Sequence, residues 1–155
     1  MEKIPPSFFK TLRGSWIAGA GLLIVLLLTA YSPVLQNGFI WDDSRYLTDN
    51  PFLTDFDGLK CLWLDVRSRP QYYPLVFTSF WMEYQFWGLD PLGYHVDNVL
   101  LHTINAIILW RVLIFLGIPA ARLVSAIFAL HPVHVESVAW ITERKNVLSG
   151  FFYLL

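Results

Sequence analysis

One cysteine, Cys61, stands among 155 residues. A disulfide within the chain is therefore excluded, and so is a cysteine-rich zinc site. Charge is scarce as well. Asp, Glu, Lys and Arg make up 15% of the chain, where a soluble domain carries about 25%. The formal net charge of −1 gives no basic signal for nucleic acid. No Asn-x-Ser/Thr sequon occurs, so glycosylation offers no clue to compartment. A Walker loop, a Gly-rich dinucleotide fingerprint and a Gly-x-Ser-x-Gly elbow are all missing, which leaves nucleotide-driven and serine-hydrolase chemistry without support. What is abundant is apolar: 55% hydrophobic and 17% aromatic residues, with a mean hydropathy of +0.49. That is the composition of an integral membrane protein, and apolar runs of helical length make the expected fold all-α.

Residues 1–14 are short and basic, with Lys3, Lys10 and Arg13 against Glu2. Trp16–Leu35 then runs 20 residues without a charge, enough for a helix to cross a bilayer. The expected span is 15–35, with Trp16 and Tyr31 as interfacial aromatics. Basic residues before a first span predict a cytoplasmic N-terminus and an outward-facing segment after it. A cleaved signal peptide is the alternative, but the apolar run is long for one and Leu28-Thr29-Ala30 is a poor cleavage site. Residues 36–90 form the expected outer loop, periplasmic or lumenal, in which eight acids face Arg45, Lys60, Arg67 and Arg69. Within it, 73–87 is aromatic with a single charge, begins beside Pro74 and stops at Gly88. Fifteen residues are short for a span, so an interfacial helix is expected; a second, short transmembrane helix is the alternative.

Asp90-Pro91 reads as an N-cap followed by Pro at the first helical position, opening a second span at 91–116. Its polar residues His95, Asn98, His102 and Asn105 fall three, four and three apart. At about 100° per residue they share one stripe roughly 80° wide, which should face a protein interior or wet cavity rather than lipid. Hydrogen bonds between helices and contact with a substrate are both open for it. Arg111 and Arg122 flank an expected cytoplasmic loop. A third span is expected at 119–134, kinked or ended by Pro132, then an outer turn at 135–146 that opens with a short helical piece, Val135–Trp140. The final apolar run, 147–155, would cover roughly 14 Å, about half a bilayer core. The chain is therefore expected to be the N-terminal part of a longer protein.

Three polar clusters would then share one membrane surface: Asp42/Asp43, His131/His134/Glu136, and Arg144/Lys145. Two carboxylates a few residues beyond a span are cheaply ionised there and well placed to act on a membrane-held substrate, although a solvated turn needs the same residues. The set suits group transfer from a phosphorylated lipid. A carboxylate can take the proton of an attacking hydroxyl. Cationic side chains can bind and neutralise a leaving phosphate. His131, His134 and Glu136 lack His-Glu-x-x-His spacing and Pro132 interrupts any regular helical face, so hydrogen-bonded histidines are expected there in preference to zinc. A transporter would also explain the polar stripe, but it calls for mirrored repeats and not for an acidic pair on the first outer loop.

Three motifs carry a resemblance. Phe39-Ile40-Trp41-Asp42-Asp43 with Asn50-Pro51 is the first. Tyr72-Tyr73-Pro74-Leu75, Trp87-Gly88, Pro91-Leu92-Gly93-Tyr94-His95 and Asn98-Val99-Leu100-Leu101-His102 with Asn105-Ala106 is the second. His131-Pro132-Val133-His134-Val135-Glu136-Ser137-Val138-Ala139-Trp140 through Arg144 is the third. In that order they resemble the N-terminal region of the TMTC-type protein O-mannosyltransferases, multi-span GT-C glycosyltransferases with C-terminal tetratricopeptide repeats. Ile141–Asn146 resembles the bacterial version of the third motif. The resemblance implies the N-terminal part of a GT-C bundle whose outer loop carries an interfacial helix. It implies a polyprenyl-phosphate-linked sugar, mannose, as donor, a protein Ser/Thr or other hydroxyl as acceptor, inverting transfer, and the lipid bilayer as surroundings. By position Asp42 matches the general base, and Asp43 supports it or binds a divalent cation if one is used. Arg144, with Lys145, matches the donor-phosphate site, and His95, His102, His131, His134 and Glu136 line it. A non-catalytic membrane anchor of the same fold is the alternative. The missing spans and repeats imply that the chain alone is inactive.

Overall fold

A computed structural model describes residues 6–65 and 71–155, with side chains from Trp16 onward. Glu2 and Lys3 of the expected cytoplasmic N-terminus lie outside the described residues. So do Arg67 and Arg69, and the side chains of Lys10 and Arg13. The described residues form seven α-helices joined by short turns, with no strand among them. The expectation of an all-α, membrane-type fold is met.

Among the described residues, helix α1 (Pro6–Tyr31), through the stretch Trp16–Gln36, and helix α4 (Pro91–Phe115) are the two long and apolar enough to cross a membrane. α1 begins before the expected span and ends in a 3-10 turn, Ser32–Gln36. Pro33 explains that ending: it brings no N–H and disfavours α geometry at Ser32. α4 starts as its sequence dictates. The Asp90 carboxylate accepts the Leu92 N–H at 3.0 Å, with Pro91 in the first turn. Helices α2 (Phe56–Leu64) and α3 (Pro74–Trp87) belong to the segment between α1 and α4. α3 has Pro74 in its first turn and stops at Gly88, whose φ of 58° falls where glycine carries no Cβ penalty.

The third helix differs from expectation. α5 (Ala121–Leu130) is ten residues long, about 15 Å, about half a bilayer core. His131 leaves the helical region and Pro132–His134 forms a 3-10 turn. The short helical piece expected at Val135–Trp140 is present, and a further 3-10 turn follows it within the expected outer turn. α6 (Val135–Ala139) and a 3-10 turn, Ile141–Glu143, precede α7 (Arg144–Leu154), which begins three residues earlier than the expected run at 147.

Two apolar cores result. The first joins α1, α4 and α5 through Leu23, Leu27, Val99, Ala106, Trp110 and Ala129, together with Val138 and Val147. At one end Trp16 stacks on Trp110 with ring centroids 5.6 Å apart. Arg111 and Arg122, which flank the α4–α5 loop, lie over these two rings at 5.2 and 5.8 Å. The second core is built by the segment between α1 and α4. Tyr46, Leu47, Leu53, Leu62, Val76, Phe77 and Phe80 gather around Tyr94 of α4 and Ile141. Trp87 lies against α4 at Gly93, where a Cβ would come within 2.3 Å of the indole. This second core holds the acidic pair against the rest of the chain.

Candidate functional site

The polar stripe of α4 is buried at every position: His95, Asn98, His102 and Asn105 are each no more than 2% exposed. Three of the four bond to backbone carbonyls outside α4. Asn98 Nδ2 donates to Trp140 O at 3.2 Å, His102 Nε2 lies 3.0 Å from Ala129 O, and Asn105 Nδ2 donates to Val147 O at 2.7 Å. Polar side chains buried in an apolar bundle need partners, and the backbone carbonyls of neighbouring segments supply them. The stripe is thus the strap that fastens α5, α6 and α7 to α4. His95 has both ring nitrogens sealed from solvent with no hydrogen bond of ordinary geometry.

The acidic pair sits on a strained turn. Trp41 has φ 48°, a left-handed conformation that costs a non-glycine residue about 1–2 kcal/mol. Its indole is 76% exposed and meets Trp140 edge-on, 4.7 Å between centroids. After it comes one turn of π-helix, Ser44–Thr48, a form that recurs at functional sites. The two carboxylates then part. Asp43 is fully buried. It accepts the Ile40 N–H at 3.0 Å on Oδ2 and the Thr142 N–H at 3.0 Å on Oδ1. Burial pushes its carboxyl above the usual range, the bonds from Ile40 and Thr142 work the other way, and Asp42 adds to the rise. Asp42 is only half-buried. Its Oδ1 accepts the Thr142 hydroxyl at 2.9 Å, and among the described residues its Oδ2 has no partner.

The two basic residues part in the same way. Arg144 is 1% exposed, and four of the five N–H groups of its guanidinium have protein partners. It pairs with Glu83 of α3, donates through Nε to Asn98 Oδ1, through Nη1 to Ser79 Oγ at 3.3 Å and through Nη2 to Tyr94 O at 3.1 Å, and lies 5.2 Å over the Phe80 ring. It does not stand on an open outer turn as the sequence suggests. Its partner Glu83 is the one charge of α3, and a carboxylate in an aromatic helix is a signal that a cation must be nearby. Burial pushes the Glu83 carboxyl up to about 8, Arg144 opposes that, and Asp97 raises it further. Lys145 stays accessible. It pairs with Glu143 at 2.6 Å and lies 6.0 Å from the Tyr73 ring. Burial pulls its ammonium down, but Glu143, Tyr46 and Tyr73 more than restore it, so it sits above the ordinary lysine value.

Tyr46 links the acid to the base. Burial raises its phenol first; the Asp42 carboxylate raises it further and the Lys145 ammonium lowers it. Both charges therefore act on one hydroxyl, which donates to Gln71 Oε1 at 2.9 Å. Beside Lys145 opens a groove of ≈ 780 Å³, walled by Tyr73, Leu75 and Val76 on one side and Leu148 and Phe152 on the other. The histidine motif does not join this cluster through any contact among the described residues. His131 is exposed and its Nδ1 accepts the Val133 N–H of its own turn at 3.2 Å. The half-buried His134 lies 4.5 Å from the Phe128 ring and 5.4 Å from His102, and Glu136 is exposed. Among the described residues no group of three or more His, Cys, Asp or Glu could hold a metal ion. Thr142, Glu83 and Tyr46 take central places that their sequence positions do not announce.

Fold and site together define an all-α, membrane-type protein with an acidic pair clamped beside a cation and an apolar groove. Sequence comparison narrows the class. The chain is 34% identical to protein O-mannosyl-transferase Tmtc1 of Drosophila melanogaster, over 97% of this chain and 19% of that protein. It is 33% identical to protein O-mannosyl-transferase TMTC3 of Homo sapiens (85% of this chain, 16% of that one) and 31% identical to a protein O-mannosyl-transferase of Caenorhabditis elegans (92% and 23%). The chain is of TMTC type. It spans about a fifth of the length of these curated relatives. No family model matches it, and neither does any solved structure.

Proposed function

We propose that this chain forms the acid-and-cation side of the active site of a multi-pass membrane glycosyltransferase. The whole protein moves a sugar, mannose by its relatives' names, from a polyprenyl phosphate to a protein hydroxyl on the extracytoplasmic face. The observation that carries the reading is the half-buried Asp42 carboxylate held at 2.9 Å by Thr142, three residues before Lys145, which lines the apolar groove. An anionic lipid fits there by chemistry: phosphate against the Lys145 ammonium, chain along Leu148 and Phe152. Asp42 is the general base. Its free Oδ2 takes the proton of the acceptor hydroxyl as that oxygen attacks the anomeric carbon. The bond from that carbon to the phosphate oxygen breaks on the opposite face, and the phosphate leaves as an anion stabilised by Lys145. Attack from the side opposite the leaving group inverts the anomeric centre. Arg144, buried among protein partners, positions the segment that carries Thr142 and Lys145. His95 and His102 belong to the helix packing behind it. A divalent cation, if one is used, would meet Asp42, since Asp43 is occupied by two backbone N–H groups.

The test uses the full-length protein in membranes, with tritiated polyprenyl-phosphate mannose and a Ser/Thr acceptor peptide. Asp42→Asn should abolish transfer, and Lys145→Gln should both raise the KM for the donor and lower kcat, because the ammonium binds the phosphate and stabilises it as it leaves. Wild-type rates with Asp42→Asn would remove the base. No transfer by the wild type from any polyprenyl-phosphate sugar would favour a non-catalytic anchor.

A further inference from the structure

Thr142 stands 100 residues from Asp42 in sequence, yet holds both members of the acidic pair at once. Its backbone N–H donates to Asp43 Oδ1 at 3.0 Å and its hydroxyl donates to Asp42 Oδ1 at 2.9 Å. Thr142 itself is 3% exposed. A carboxylate on a solvated turn would sample several rotamers and lone-pair directions. One fixed donor on Oδ1 removes that freedom and leaves Oδ2 directed away from the donor.

The donor is itself fixed from behind. Ile141, fully buried, sits in the second apolar core. Trp140 and Ile141 carbonyls face Asn98 Nδ2 at 3.2 and 3.5 Å. Two residues past Thr142, Arg144 is held by Glu83, Asn98, Ser79 and the Tyr94 carbonyl. The short turn between these anchors therefore has little room to move.

We infer that Thr142 is a positioning residue for sugar transfer: its hydroxyl orients the Asp42 carboxylate so that Oδ2 is presented to the acceptor hydroxyl. This rests on Asp42 being the base. Asp43 and the Arg144 network act through Thr142, not on the substrate. Threonine suits the role because its N–H and hydroxyl can reach two adjacent carboxylates together. Serine offers the same two donors, whereas valine keeps the shape and loses one.

The experiment compares wild type, Thr142→Val, Thr142→Ser and Asp42→Asn in membranes carrying the full-length protein, with tritiated polyprenyl-phosphate mannose as donor. Losing one hydrogen bond to a charged group that matters in the transition state should lower kcat roughly ten- to hundredfold. The KM for the donor should stay within about twofold, because Thr142 does not touch the phosphate. Thr142→Ser should recover most of the rate. Wild-type kcat in Thr142→Val, with Asp42→Asn inactive, would overturn the clamp and leave the base in place. Equal losses in Thr142→Val and Thr142→Ser would also overturn it, since the hydroxyl would not be the active feature. Activity in Asp42→Asn would remove the base and the clamp together. Hydrogen exchange covers the case where Thr142→Val accumulates poorly: in detergent-solubilised Thr142→Ala, residues 40–46 should exchange faster than in wild type. Unchanged exchange would contradict the clamp without reference to any reaction.

Discussion

Adjacent residues of the same charge do opposite work here. Asp43 is buried under two backbone N–H groups, and Asp42 keeps an oxygen free. Arg144 is buried among protein acceptors, and Lys145 opens on a groove. Removing Arg144 should therefore act on folding. Arg144→Ala leaves Asn98 Oδ1, the Tyr94 carbonyl and the Glu83 carboxyl buried without their donor, and one such orphaned acceptor alone costs about 1–3 kcal/mol. Lys145→Gln should change stability by less than about 1 kcal/mol, since its pair with Glu143 is partly solvated. Thermal unfolding of the two variants in one detergent checks the contrast. Glu83 also sets a pH dependence. Its carboxyl is held at about 8 in the folded chain, against 4.5 for an ordinary glutamate. The folded state thus binds that proton more tightly than the unfolded state. The resulting stability is fully present below the unfolded value and is lost as pH rises toward 8. The unfolding midpoint should fall between pH 5 and pH 8, and Glu83→Gln should flatten that fall. A midpoint that rises over this range would contradict the buried acid.

Helix ends were the most legible elements, because each depends on neighbours in sequence. Pro74, Gly88 and Asp90-Pro91 bound their helices where they stand. The stripe of α4 was legible as a buried face for a similar reason: four polar residues at helical spacing have one place to go. Its partners were not legible. Which carbonyl each side chain meets depends on how α5, α6 and α7 fold back, and those bonds cross 27 to 42 residues of chain. Longer separations still, 61 residues for Glu83–Arg144 and 100 for Asp42–Thr142, hid those contacts. Hydrophobic runs also overstated α5, since apolar composition continues past the helix into His131-Pro132 while the backbone does not. At the α3–α4 corner, close approach makes a sharp prediction. Gly93→Val would drive a side chain into the Trp87 indole, costing about 1–3 kcal/mol by overpacking. Trp87→Ala in the same background should recover part of it, which a double-mutant cycle measures. No recovery would mean that Gly93 matters for another reason.

At the scale of the whole chain, two cores share α4. One is the long apolar packing of α1, α4 and α5, and the other is the aromatic packing around Tyr94 and Ile141. The acidic pair hangs between them, fixed at Thr142. A site assembled this way is sensitive to the second core, although no residue of that core needs to touch a substrate. The relatives are about five times longer than the matched stretch, so the tests of transfer use the full-length protein. The division of labour between the two aspartates can be measured directly. Transfer of labelled mannose and the unfolding midpoint should be recorded for Asp42→Asn and Asp43→Asn of the full-length protein, side by side. Asp42→Asn should lose transfer and keep its midpoint within a few degrees. Asp43→Asn should lower the midpoint, with a cost of about 1–3 kcal/mol for a weakened buried acceptor. An Asp42→Asn protein that transfers mannose at the wild-type rate, or an Asp43→Asn protein as stable as wild type, would contradict that division.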